Sequence, residues 1–204
     1  VRRLCDETDE LTCEDYIPFF VTTEIGEPTS KVAILIPTVS YQVYANGRLD
    51  PSILPSEIVP LRSTDGPSPA AAYVDHYGLR SCYDRHTDGT GVCMATMLRP
   101  MPITVRPRSK STFNSSPHQL GADLYITYWL EKKGVPFDVV TDHELDQHGA
   151  ERLADYNVVL SGTHAEYWTE RMLDGPKGYT DNGGRFVYLS GNGLYWVTGL
   201  SADG

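Results

Sequence analysis

The sequence has no long hydrophobic run: no stretch approaches the roughly 18 consecutive apolar residues that a membrane-spanning helix requires, so no membrane segment is expected. It is equally short of basic residues, with 17 Lys and Arg against 27 Asp and Glu and a formal charge of −10. A protein that binds nucleic acid by displacing phosphate counterions needs a basic face. No cluster of cations offers one, which argues against a nucleic-acid partner. Cysteine is scarce too: Cys5, Cys13, Cys82 and Cys93 are the whole complement, and no C-x-x-C pair suggests zinc or dithiol chemistry. A reduced, cytoplasmic setting is expected. The start VRRLCDETDELTCEDY is acidic where a signal peptide is basic and then apolar. It lacks an initiating Met, and the reading is of a piece of a longer polypeptide.

What the sequence does hold is enough for a core, with 40% hydrophobic and 10% aromatic residues in 204. Residues 1–30 read as the end of a preceding β-rich domain and a linker. The pattern then changes at Lys31-Val-Ala-Ile-Leu-Ile36, a continuous apolar run closed by Pro37, as a strand buried on both faces would be. Residues 45–114 hold most of the fourteen prolines and no clear period, a long irregular insertion of the kind that is often functional. Regularity returns with a helix predicted from a Ser115-Ser116-Pro117 start, through Leu120, Leu124, Tyr128 and Leu130, to a stop at Gly134. Strands are expected at Phe137–Thr141, Asn157–Ser161 and Arg185–Ser190, alternating with helices. That alternation predicts an α/β domain over 31–204 with a mostly parallel sheet flanked by helices.

In such sheets ligands gather beyond the carboxyl ends of the strands. Here those ends carry polar groups: Thr38, Ser40 and Tyr41; Asp142 and His143; His164 and Glu166; Asn192. The H-x-E spacing of His164 and Glu166 matches half of a zinc deaminase signature, but its P-C-x-x-C half is absent. No Ser or Cys stands in a G-x-S-x-G elbow. Glu166 also has a plain reading, as a first-turn acid favoured by a helix dipole. The stretch Thr141 to His148 holds two His and three acids, but misses H-E-x-x-H by one residue; an Asp142 cap followed by Glu144 and Asp146 reads as ordinary helix-start chemistry. His76, His86 and His118 are isolated.

Tyrosine is abundant, at 13 residues, with Tyr41 and Tyr44 after the first strand and Tyr77 and Tyr83 in the insertion. Most buried tyrosines are packing residues with a polar handle. As a phenolate, however, tyrosine is a hard anionic oxygen ligand for ferric iron. Two phenolates and one carboxylate would neutralise Fe(III), which avoids the cost of an unpaired buried charge.

Four blocks in this order, PTVSYQVYANG, YGLRSCYD followed by RPM, SGTHAEYWT and RFVYLSGNGLYW, resemble the large (beta) subunit of the N,N-dimethylformamidase family, from about Lys31 onward. The resemblance implies a class I glutamine amidotransferase-like (flavodoxin-like) domain with a mononuclear non-haem iron held by two tyrosines and a glutamate. It places the ligands at Tyr44, Tyr83 and Glu166, with Tyr41 as the alternative to Tyr44. It puts His164 and Asn192 in the active site, a further acidic residue beyond Gly204, a β-rich domain before residue 1, and a small alpha subunit with further large subunits in a hetero-oligomer. The implied reaction is hydrolysis of N,N-dimethylformamide to formate and dimethylamine. The aromatic residues Tyr167, Trp168, Tyr195 and Trp196 are candidates for a small pocket around the N-methyl groups, and packing explains them equally well. The rival is a metal-free amidotransferase-like scaffold or carbohydrate-binding module. If the chain stays extended after Ile36, Tyr41 and Tyr44 point to opposite faces and only one reaches a metal; the Ala45-Asn46-Gly47 turn favours Tyr44.

Overall fold

The computed structural model describes residues 17–47, 69–101, 105–107, 116–194 and 196–201. The chain divides into two compact units, a sheet unit of Phe19–Tyr41 with Ala122–Gly204 and an insertion unit of Val1–Pro18 with Gln42–Gly121.

In the sheet unit, β1 (Val32–Ile36) lies at the centre of a four-stranded parallel sheet with β2 (Asp138–Thr141), β3 (Val158–Ser161) and β5 (Arg185–Val187), in the order β2-β1-β3-β5. Ala33 pairs with Asp138 on one side and with Val159 on the other. Ala33, Ile34, Leu35 and Ile36 are all buried, as expected of a strand covered on both faces. The expected strands are all present but shorter. Arg185–Ser190 pairs only as far as Val187, because the Leu189 N–H donates to Ser161 Oγ (2.8 Å) and leaves the ladder. A separate pair, β4 (Tyr167–Trp168) and β6 (Trp196–Val197), is also parallel.

Helices α1 (Thr38–Tyr44), α3 (Leu120–Lys132), α4 (Asp142–His148) and α5 (Glu170–Asp181) alternate with the strands, and a 3₁₀ turn covers Gly149–Leu153. Leu35, Val140, Val159, Trp168 and Met172 form the centre of the core, each fully buried side chain contributing roughly 1.5–3 kcal/mol. At the end of α3, Gly134 has φ 64°, with Val135 N–H donating to Leu130 O and Gly134 N–H to Glu131 O, both 3.0 Å. Those two bonds make a Schellman stop, and the left-handed φ is why glycine stands there. The start of α3 is later than expected: it begins at Leu120 after Gln119, and Ser115 lies outside the described residues.

Two expectations are corrected. The cap of α4 is Thr141 rather than Asp142: Thr141 Oγ1 accepts the Glu144 N–H while the Glu144 carboxylate accepts the Thr141 N–H, a capping box. Asp142 is freed for another task. Its carboxylate accepts the Val39 N–H (3.1 Å to each oxygen) and the Thr38 hydroxyl, and so caps α1 from a distance. That cap explains the second correction, since the chain after Ile36 is helical and not extended. The β-branched content of Thr38-Val39-Ser40 disfavours a helix locally, and a tertiary carboxylate supplies what the local sequence lacks.

The insertion unit contains α2 (Pro69–Tyr77) and a turn in which Arg85 bridges Gly91 and the Val92 N–H donates to Asp84 O (3.1 Å). Side chains bind its irregular backbone. Arg99 donates to the carbonyls of Arg80 and Gln42, Gln42 Nε2 to Ala95 O (2.9 Å), and Asn46 Nδ2 to Pro100 O (2.8 Å). Such bonds replace the ladder that irregular backbone cannot make for itself. Among the described residues no helix is long and apolar enough to cross a membrane.

Candidate functional site

The strand order places the topological switch between β1 and β3, where connections leave in opposite directions, the place at which such sheets ordinarily bind their ligands. Gly162 leaves β3 there, its N–H donating to Leu35 O (2.8 Å). A Cβ at Gly162 would lie 2.4 Å from Pro37 Cδ, so only glycine lets the two chains approach this closely. The residues that follow belong to no strand or helix until Tyr167, and side chains hold them. Thr163 N–H donates to Asp123 Oδ1 (2.5 Å), Ala165 N–H to Ser190 Oγ (2.6 Å), and the Glu166 and Tyr167 N–H groups share Ser40 Oγ (3.0 and 3.2 Å).

This loop delivers His164 and Glu166. Glu166 is 4% exposed, and its Oε2 lies 3.1 Å from His164 Nε2. A buried carboxylate is costly unless partnered, and the His164 imidazole stands beside it as a partner. The reading of Glu166 as a first-turn acid does not hold: α5 starts at Glu170 behind its own N-cap, Thr169, whose Oγ1 accepts the Met172 N–H (3.1 Å).

In the insertion unit, Tyr44 and Tyr83 come together across 39 residues of sequence. Their rings stack, with centroids 4.5 Å apart and 19° between planes, and the Tyr83 hydroxyl donates to the Tyr44 hydroxyl at 2.8 Å. His118 meets Tyr44 edge-on, centroid to centroid 5.5 Å. The Cys82 N–H donates to Val43 O (3.1 Å), fixing the two segments in register. Two phenolic oxygens at hydrogen-bond distance are hard donors already paired.

Tyr41 has a different environment although it shares α1 with Tyr44. It is 2% exposed, and its hydroxyl donates to Asp123 Oδ2. Burial first, and then the neighbouring Asp123 carboxylate, push its pKa well above the ordinary phenol value, so it remains a protonated donor.

Asn192 lies in the turn after β5 with φ 51°, exposed. The turn is tied to the His164 loop by Gly191 N–H to Thr163 O (3.0 Å) and Leu194 N–H to Ala165 O (3.2 Å). Trp168 is buried in the core, its Nε1 donating to Ala165 O (2.6 Å). Tyr195 and the side chain of Trp196 lie outside the described residues. Among the described residues His, Cys, Asp and Glu side chains form no group of three that could hold a metal. Sequence reasoning missed Asp123, and it named Ser40 at a strand end without seeing that it holds the Glu166 and Tyr167 N–H groups. Asp123 is 82 residues from Tyr41 and 40 from Thr163, and no spacing rule links positions so far apart.

Residues 3–204 match the family described as N,N-dimethylformamidase beta subunit-like, C-terminal. The N,N-dimethylformamidase beta subunit of Paracoccus aminophilus is 38% identical over 193 residues, covering 93% of this chain and 25% of that protein. The N,N-dimethylformamidase beta subunit of an Alcaligenes species is 38% identical over 192 residues, covering 90% and 24%. The chain thus spans about a quarter of the length of the curated relatives it matches. It belongs to the N,N-dimethylformamidase beta subunit-like family.

Proposed function

We propose, from this family membership, that the chain is the catalytic part of an iron-dependent amidohydrolase that cleaves a small tertiary formamide, N,N-dimethylformamide, to dimethylamine and formate. The observation that carries the reading is the Tyr44–Tyr83 hydroxyl pair at 2.8 Å. Paired phenols suit a hard trivalent cation, and the family resemblance adds Glu166, which brings the donor set to the charge of Fe(III). Tyr44, Tyr83 and Glu166 would hold it. Tyr41 is left out because it is already spent as a donor to Asp123.

Bound iron supplies Lewis acidity, which polarises an amide carbonyl and lowers the pKa of water. The remaining chemistry belongs to the side chains. Water adds to the formyl carbon, the C–N bond breaks, and a proton must reach the departing nitrogen. His164 is the group suited to carry it, with Nε2 turned to the Glu166 carboxylate. The Asn192 amide would donate to the oxygen on which charge develops. The parallel order β2-β1-β3-β5 supports a class I glutamine amidotransferase-like (flavodoxin-like) domain over 31–204. Residues 1–30 would close a preceding β-rich domain. The relatives' designation as beta subunits supports a multi-subunit assembly; the proposal adds a small alpha subunit, further large subunits and a cytoplasmic setting.

The test is metal analysis of the purified full-length subunit. About one iron per subunit and a visible phenolate-to-iron charge-transfer band are expected, with dimethylamine released from N,N-dimethylformamide. A colourless protein with stoichiometric zinc would overturn the reading.

A further inference from the structure

We propose that Asp123 is a positioning residue whose carboxylate fixes the loop that carries His164 and Glu166. Asp123 stands in the first turn of α3, where an acid is ordinarily exposed and merely complements the helix dipole. Here it is 1% exposed. Its two oxygens have separate tasks: Oδ1 accepts the Thr163 N–H at 2.5 Å and Oδ2 accepts the Tyr41 hydroxyl. Tyr41 follows β1 and Thr163 follows β3, so one carboxylate ties together the two sides of the switch point. No Lys or Arg pairs with it among the described residues. Burial without a cation is expensive, and burial pushes the carboxyl's pKa up, opposed by its bonds from Tyr41 and Thr163.

An apolar residue would fill the same space without that expense but would leave the Thr163 N–H and the Tyr41 hydroxyl unpaired. The loop has few alternatives. Its later N–H groups are already assigned to Ser190 and Ser40, and its entry is fixed where Gly162 joins β1, where the Thr163 N–H meets Asp123 and where the Thr163 carbonyl accepts the Gly191 N–H. Thr163 directly precedes His164. A shift of the Thr163 amide is therefore passed along the backbone to the imidazole and the Glu166 carboxylate. Displacements of about 1 Å at such groups are enough to reduce turnover strongly.

The consequence for turnover rests on the roles proposed above for His164 and Glu166; the clamp itself does not. The experiment uses the full-length subunit in its complex. Amide hydrogen exchange is followed in a peptide spanning 162–167, with 170–181 as internal reference, and kcat and KM for N,N-dimethylformamide are measured alongside. Asp123→Ala is expected to raise exchange in 162–167 about tenfold or more with less than about twofold change in 170–181, and to lower kcat by roughly 10–100-fold while KM stays within about threefold. Asp123→Asn keeps an oxygen for Thr163 and an amide that can donate to the Tyr41 oxygen, and should recover more than half of the lost protection and a large part of kcat. Where Asp123→Ala does not accumulate, Tyr41→Phe removes one of the two donors and should raise exchange in 162–167 severalfold with 170–181 unchanged. Unchanged loop exchange, an equal rise in both peptides, a loosened loop with normal kcat, or no recovery in Asp123→Asn would each overturn the proposal. Absence of iron from the wild-type subunit would overturn the metal assignment alone and leave the exchange result standing.

Discussion

At the scale of single residues, two tyrosines three positions apart on α1 meet opposite fates, and phenylalanine substitution separates them because it keeps the ring and deletes only the oxygen. Tyr44→Phe removes one half of the stacked hydroxyl pair. The expected outcome is loss or a strong shift of the visible band and a fall in activity. Tyr41→Phe should leave the band in place but leave Asp123 Oδ2 buried without its donor, at a cost of about 1–3 kcal/mol in urea unfolding. The reverse pattern would move the ligand to Tyr41. The His164 and Glu166 pair, 3.1 Å apart, calls for a similar division. Glu166→Ala deletes a proposed ligand and its compensating charge and should empty the site of iron. His164→Ala should keep most of the iron and reduce turnover by roughly 10–100-fold. Metal analysis on both variants decides, and an empty His164→Ala beside a loaded Glu166→Ala would exchange the assignments.

Elements differ in how much of them the sequence discloses. The central strands are legible because a strand buried on both faces must be apolar throughout, as Val32–Ile36 is. Helix α1 is not legible, because its start depends on the Asp142 carboxylate about a hundred residues away and not on local propensity. The Tyr44–Tyr83 stack is hidden for the same reason: the family resemblance singled out both residues, but nothing local says that their rings meet. Tertiary carboxylates recur, and Asp138 at the start of β2 offers a test. It accepts the Thr29 and Ser30 N–H groups (2.9 and 3.1 Å) and the Thr29 hydroxyl, fastening the segment before β1. Burial alone would raise its pKa, but the bonds from Thr29 and Ser30 outweigh burial and hold it below the usual carboxylate value. Its stabilisation is therefore present above the unfolded pKa of about 3.9 and fades as pH falls through the lower folded value. Asp138→Asn should be less stable than wild type by roughly 1–3 kcal/mol at pH 7, with the gap closing in acid. Urea unfolding across a pH series reads this directly; a gap that stays constant down to about pH 3 would show that charge is not what matters at Asp138.

On the scale of the whole molecule, the question is whether the proposed iron builds the fold or is received by it. Small zinc domains are unfolded without metal because their ligands replace a core. Here the sheet unit has its own core, with Leu35, Val140, Val159, Trp168 and Met172 buried together. Its loops are fixed by Asp123, Ser40, Ser190 and Asp142, none of which is a proposed ligand. In the insertion unit Tyr44 and Tyr83 already hold each other. Chelation of iron from the full-length subunit is therefore expected to abolish the band and turnover while leaving far-UV circular dichroism nearly unchanged. Thermal stability should fall only by the linkage contribution of the lost ligand, about 3–4 kcal/mol if iron is held at a hundred to a thousand times its dissociation constant. Returning ferric iron should restore colour and activity together without a refolding step. If the stripped protein instead lost its secondary structure, the core described here would not be self-sufficient, and metal binding would have to be counted as part of folding.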